Sequence, residues 1–248
     1  MRLRAGFALA ALVLLVIAFA CLAPATLLDA RIAAMTNDAV RLADARGTVW
    51  QGSGMLADAH GAWRIPVSWR VGVAAALRGA LSVELVPDER ATARGVIDAR
   101  DDTLAFSGLH VEVPAGAVTT AWTHPPVPRF GGTIVADAPS FRTDGTHVDG
   151  AIDLRWDRAS VALAGVTVDL GTVEANARPG AGGMTVALRN RGGDVALAGE
   201  VRAQGNDLAV DATLTPAPTL PAPALIALRA LGPASSDGSV HVTWHGPR

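Results

Sequence analysis

The chain has 248 residues, half of them hydrophobic, and a formal net charge of −2. That length suits one large domain or two small ones with a sizeable core, and the charge gives no electrostatic basis for binding nucleic acid. The single cysteine, Cys21, excludes an intrachain disulfide and a cysteine-built metal site, and the lack of lysine excludes a Walker-type phosphate loop.

Arg2 and Arg4 precede AGFALAALVLLVIAFACLA, an uncharged run over 5–23. About 20 apolar residues are enough to span the bilayer core. Arginines ahead of the run set the N-terminus, 1–4, in the cytoplasm and the rest of the chain outside it. The expectation is a single-pass anchor in a bacterial inner membrane with a periplasmic body. A signal peptide cleaved after Ala18-Phe19-Ala20 and a lipoprotein acylated at Cys21 are the alternatives. The apolar core is long for the first, and Phe19 suits the second poorly.

Pro24 closes the apolar run, and 24–39 read as a short helical connector built on LLDARIAA. Next comes RGTVWQGSG, from Arg46 to Gly54. Its Thr48, Val49 and Trp50 are strand formers and its glycines suit a turn or bulge, so the stretch reads as the edge of a β-sheet. From Trp63 to Val73 apolar residues alternate with Arg64, Pro66, Ser68 and Arg70, a period of two that predicts a strand with one apolar face. Pro66 lacks an N–H and predicts an edge or a bulge there.

The alternation recurs at Leu81–Leu85, Leu109–Val113, Ile152–Trp156, Val161–Leu170, Met184–Leu188, Val195–Leu197, Leu208–Leu214 and Val240–Trp244. Turn signals such as Asp144-Gly145, Gly205-Asn206-Asp207 and Asp237-Gly238 separate these runs. Two proline-rich stretches break the rhythm. THPPVPR at 123–129 predicts a sub-boundary, and TPAPTLPAP at 215–223 predicts a stiff extended linker. The latter leads into a helix at Ala224–Leu231, ended by Gly232 and Pro233. The fold expected over 40–248 is therefore all-β. It is a large antiparallel meander, either a curved open sheet or a partly open barrel, with one short C-terminal helix.

No catalytic set emerges. His241 and His245 share a strand face, but no carboxylate stands at metal-ligand spacing beside them. Asp101 and Asp102 are adjacent, so on a strand they face opposite ways and make no acid/base pair. Gly180-Ala181-Gly182-Gly183 reads as a β-turn. No catalytic, metal or cofactor residue is expected. The tryptophans are either core filling or the lining of an apolar groove or interface, and the alternation favours core.

Several pieces carry a resemblance when taken together and in order. They are the anchor, PATLLDARIAA, RGTVWQGSG, WRIPVSWRV, LRGALSVELVP, GGDVALAGEVRA, ALIALRALG and DGSVHVTWHG. By these the chain resembles the type II secretion system protein N family. The resemblance implies an inner-membrane protein with a periplasmic β domain, accessory to the machinery that exports folded proteins. Its implied partners are other inner-membrane components of that machinery and the secretin, and no catalytic residue carries over. Gly47, Trp50, Gly52, Trp63, Trp69, Trp244 and Gly246 become the structural or interaction candidates. A second expectation, of a different class, is a periplasmic carrier or scaffold for lipid or lipoprotein. It would hold its ligand in an apolar groove on the Trp63–Val73 face.

Overall fold

Strands form where apolar residues alternate, and most reversals fall on stretches rich in glycine and aspartate. The structure, a computed structural model, describes residues 22–36, 38, 40–58, 64–76, 78–100, 103–116, 129–144, 147–163, 165–180, 183–204 and 207–247. Apart from Leu22 and Ala23, the expected anchor lies outside these residues, as does Trp63. Among the described residues no helix is long and apolar enough to cross a membrane. The chain divides into two units, Met1–Thr92 and Ala93–Arg248. The stretch at 123–129 falls within the second, and all of it but Arg129 is outside the described residues.

The first unit begins with helix α1, Thr26–Thr36, within the expected connector. Four strands follow: β1 Val40–Gly47, β2 Gln51–Asp58, β3 Arg64–Val71 and β4 Leu81–Leu85. A one-turn helix, α2 (Val73–Ala76), joins the last two. Each strand pairs antiparallel with the next in sequence. Val67, Trp69 and Val71 of β3 point to one face, as their period of two requires, and are buried with Ala25 and Leu42. Leu28 and Ile32, one helical turn apart on α1, cover that cluster. β4 pairs only with the Trp69–Val71 end of β3, so Pro66 lies on the stretch that β4 does not reach. Its missing N–H is tolerated there, as expected for an edge position.

Asp29 fastens α1 to β1. Its carboxylate accepts bonds from the Arg41 guanidinium at 2.9 and 2.6 Å and from the Leu42 N–H at 2.8 Å. The Arg41 bond, helped by the Leu42 N–H, holds the Asp29 carboxyl below its ordinary value. A carboxylate whose pKa is lowered by folding stabilises the fold above its unfolded pKa, and that stabilisation fades as pH falls through the lowered value. Asp29→Asn is therefore expected to reduce hydrogen-exchange protection of α1 at neutral pH. The difference from the parent chain should shrink to nothing in acid below the usual carboxylate range.

The second unit is a longer antiparallel path. Its strands are β5 Arg94–Arg100, β6 Thr103–Pro114, β7 Arg129–Thr143, β8 Val148–Gly150, β9 Ile152–Leu163, β10 Val166–Gly180, β11 Gly183–Arg191, β12 Val195–Gln204, β13 Asp207–Pro216 and β14 Val240–Pro247. Within this unit the order follows the sequence, except that the short β8 lies off the main path on β7. Among the described residues no pairing joins β14 back to β5, so the path is open.

Helix α3, Ala222–Arg229, covers one face near the β14 end. Ala224 and Leu228, one turn apart, are its buried residues. Leu228 meets Val195 and Val240, which are almost wholly buried. The 215–223 stretch is not an extended linker. Thr215 and Pro216 complete β13 opposite Ala196 and Val195, and Leu220 N–H bonds to Ala217 C=O at 3.0 Å to make a turn. Pro223 then sits in the first turn of α3, where its missing N–H leaves no helix bond broken.

Candidate functional site

The first cluster of candidates forms around RGTVWQGSG, which ends β1 at the sheet's edge and begins β2, as expected, except that Thr48, Val49 and Trp50 make the turn between the two strands. β1 ends at Gly47, where φ is +91°, a backbone region that glycine adopts without strain. Thr48 then organises the turn. Its N–H donates to Gln51 C=O at 2.9 Å, and its Oγ1 accepts the N–H groups of Trp50 and Gln51, both at 3.2 Å. A side chain that takes up local N–H groups favours a turn over a ladder, which explains why three strand-forming residues make a loop.

Two other segments join this turn. Val49 N–H donates to Ala23 C=O at 2.9 Å and Ala25 N–H to Gly47 C=O at 3.2 Å. Val71 N–H, at the end of β3, donates to Trp50 C=O at 2.6 Å. The chain entering from residue 22 is thus stitched to the turn, and the turn to β3. Trp50 is half-buried and packs against the core cluster.

Gly52 and Trp69 face each other across the β2–β3 ladder. A Cβ at Gly52 would lie 2.6 Å from Trp69 Cζ2 and 2.3 Å from the Arg46 carbonyl oxygen. The indole therefore lies over the glycine, and only glycine admits both it and the β1 backbone. Sequence spacing pairs Gly52 with Trp50; the structure pairs it with Trp69. In the second unit Trp244 closes over Gly246 on its own strand, with Cζ2 2.7 Å from where a Cβ would stand. Trp244 is itself 44% exposed, and Gly246 is half-buried. Trp63 lies outside the described residues.

The groove expected on the Trp63–Val73 face is not present where the structure describes it. Val67, Trp69 and Val71 are at most 8% exposed and packed beneath Leu28 and Ile32. The alternation that predicted an apolar face was right, but α1 fills that face. A different apolar cavity, of about 180 Å³, opens in the second unit between α3 and the sheet. Val161, Val168, Leu170, Leu214, Ala227 and Leu231 line it.

Among the described residues no three of His, Cys, Asp or Glu converge on a metal-sized site. His241 and His245 sit on β14, and His241 approaches Asp211 Oδ1 and Thr213 Oγ1, both at 3.5 Å. Asp88 accepts the Ser68 hydroxyl and the N–H groups of Arg90 and Ala91, and the Ser68 bond foremost lowers its pKa. This ties the chain beyond β4 to β3. Sequence reasoning missed Thr48, Asp29 and Asn190 as organising residues. The only signal for Thr48 was its place after a glycine, where a hydroxyl starts a turn.

The end of β14 is a distinct surface. At its start, His241 N–H donates outward to Pro233 C=O at 3.1 Å, and Ser235 N–H to Ser239 C=O at 2.7 Å. Outward and inward groups alternate along an antiparallel strand, so the N–H and C=O of Thr243 and His245 also point away from β13. The β13–β14 register runs without a shift from Val240 to Pro247. β1 differs: its pairing shifts between Ala43 and Arg46, and Asp44 sits at a φ of +52°. A bulge of that kind discourages further pairing; β14 carries no such device.

A family model described as type II secretion system (T2SS), protein N, matches residues 38–243. No curated protein and no solved structure matches the chain.

Proposed function

The chain belongs to the type II secretion system protein N family, and from that premise we propose that it is a non-enzymatic scaffold or assembly factor of a type II secretion machine. In this reading 5–23 anchor the chain in the inner membrane and both units lie in the periplasm. The family match, running from just before β1 into β14, carries the reading. The scaffold works by strand addition. An extended segment of another secretion component, from the inner membrane or the secretin, pairs with the open groups of Thr243 and His245 on β14. Main-chain bonds supply affinity in that mode and neighbouring side chains supply specificity. Exposed Trp244 flanks the edge as the anchoring aromatic.

The test is an affinity pull-down of the detergent-solubilised chain, with mass spectrometry of both proteins and lipids. Secretion components are expected to co-purify. Thr243→Pro removes an outward N–H while leaving the β13 ladder in place, since proline is tolerated on the open side of an edge strand. It is expected to reach normal abundance and lose those components. Retention of every partner by Thr243→Pro overturns strand addition at this edge. A second reading rests on the cavity under α3, which suits an acyl chain. Stoichiometric lipid without secretion components in the same pull-down favours a carrier over a scaffold.

A further inference from the structure

Among the described residues of the first unit, the large apolar side chains that remain exposed are Leu22, Leu27, Val73 and Leu81, at 73, 55, 51 and 50%. All four belong to one end of the β1–β4 meander. Ala23 bonds to Val49 in the β1–β2 turn, Pro24 bridges Thr48, and Val71 bonds to Trp50. These contacts gather the incoming chain, the start of α1 and the β1–β2 turn at the end where β3 passes into β4. The segment entering there is the uncharged run 5–23.

The β3–β4 connection, GVAAALRGAL from Gly72 to Leu81, is apolar apart from Arg78. Backbone bonds among its described residues fold part of it back on itself. The N–H groups of Ala75 and Ala76 bond to Gly72 C=O at 3.0 and 3.1 Å, Arg78 and Ala80 to Ala75 C=O at 2.9 and 3.0 Å, and Gly79 to Ala76 C=O at 3.0 Å. No described residue of α2 is buried. An apolar patch that stays exposed marks a protein or membrane contact.

We infer that this end of the first unit is a membrane-docking surface, with the Gly72–Leu81 loop, Leu22 and Leu27 lying in the interface of the bilayer that 5–23 enter. The inference rests on the anchor reading given above. The occupant is lipid because the apolar run leads straight into this patch. Half-buried Trp50 lies at the same end, at the level where indoles collect in membrane proteins. Arg78 meets lipid phosphates with its stem along the apolar surface. Docking holds the β1–β4 ladder at a fixed orientation to the membrane instead of on a free tether.

The test uses the full chain with Cys21→Ser and one new cysteine carrying an environment-sensitive fluorophore. It is reconstituted into phosphatidylethanolamine and phosphatidylglycerol vesicles containing an acyl-chain doxyl quencher. A label at Ala74→Cys, in α2, is expected to shift to the blue and lose intensity to the quencher. A label at Arg64→Cys, at the opposite end of β3, is expected to do neither. A chain retained through alkaline carbonate extraction whose label at 74 stays unquenched overturns docking and leaves the anchor standing. A chain released by carbonate with its label at 74 unquenched overturns both. A label at 74 that becomes shielded only when another protein is added makes the patch a protein interface and overturns the inference.

Discussion

Trp69→Ala is expected to lower the stability of the first unit by about 3–5 kcal/mol, the range for truncating a large buried aromatic side chain. Trp69 is 5% exposed and sits at the centre of the cluster that joins β3 to β1 and α1. Its Nε1 is buried with no hydrogen-bond partner among the described residues. Trp69→Phe keeps much of the ring and removes that donor, so it is expected to lose clearly less than Trp69→Ala. Gly52→Ala is expected to cost about 1–3 kcal/mol or more through overpacking. The double variant separates the two contacts at Gly52. Removing the indole relieves the 2.6 Å approach, but the 2.3 Å approach to the Arg46 carbonyl remains. Trp69→Ala should therefore rescue Gly52→Ala only in part, with a coupling of about 0.5–3 kcal/mol. Hydrogen exchange of β2 and β3 in the full chain reads all four species. Unchanged protection in Trp69→Ala would remove the indole from its place at the centre of this core.

The strand content was legible because it rests on a local rule. In β3 the residues at 67, 69 and 71 are buried as the period of two demands, and Val195 and Val240 open β12 and β14 as core residues. What was not legible depends on register and on a third partner. Nothing in RGTVWQGSG says that Thr48 takes up two N–H groups and turns the chain, or that the indole over Gly52 comes from the next strand. Nothing local says that the apolar face of β3 is closed by α1 and not left open as a groove. That outcome needs Leu28 and Ile32 to meet it, which is decided by the length of the 37–39 connection and the Asp29–Arg41 pair. TPAPTLPAP misled for a related reason. Proline fits a stiff linker, but it also fits the last residue of a strand and the first turn of a helix, and the pairing with β12 selects the latter.

The candidate interaction surfaces were legible unevenly. Trp244 ends the run Val240–Trp244 that the alternation identifies, but the same alternation favours it as core, and at 44% exposed it is not. That Thr243 and His245 face outward follows only from the bond of His241 to Pro233, which fixes the parity of the strand. The loop proposed to face the membrane is not legible. GVAAALRGAL falls between two alternating runs, and its place beside Leu22 and Leu27 emerges only once β3 and β4 are paired.

Asn190→Ala is expected to destabilise the second unit by roughly 3 kcal/mol, since removing partners from buried polar groups costs about 1–3 kcal/mol each. Asn190 lies on β11 where the β11–β12 register ends at Arg189 and Ala198. Its Nδ2 donates to Leu170 C=O at 2.8 Å, to Val195 C=O at 2.7 Å and more weakly to Gly192 C=O at 3.3 Å. Its Oδ1 accepts Leu197 N–H at 2.7 Å. One amide thus replaces the ladder bonds that β10 and β12 lose around the glycines at 171, 192 and 193, all of positive φ. The consequence extends past the turn. Val195, whose carbonyl Asn190 holds, is 1% exposed and packs against Leu228 and Val240. Loosening it frees α3 and β14 together. The expected signature in the full chain is faster hydrogen exchange at the start of β12, in α3 and in β14, with β5 to β7 unchanged. Asn190→Asp keeps the acceptor but turns a carboxylate toward carbonyl oxygens, so it should be no milder than alanine. If Asn190→Asp retains full protection, the donor bonds to Leu170 and Val195 contribute little, and the hold on Val195 comes from apolar packing alone.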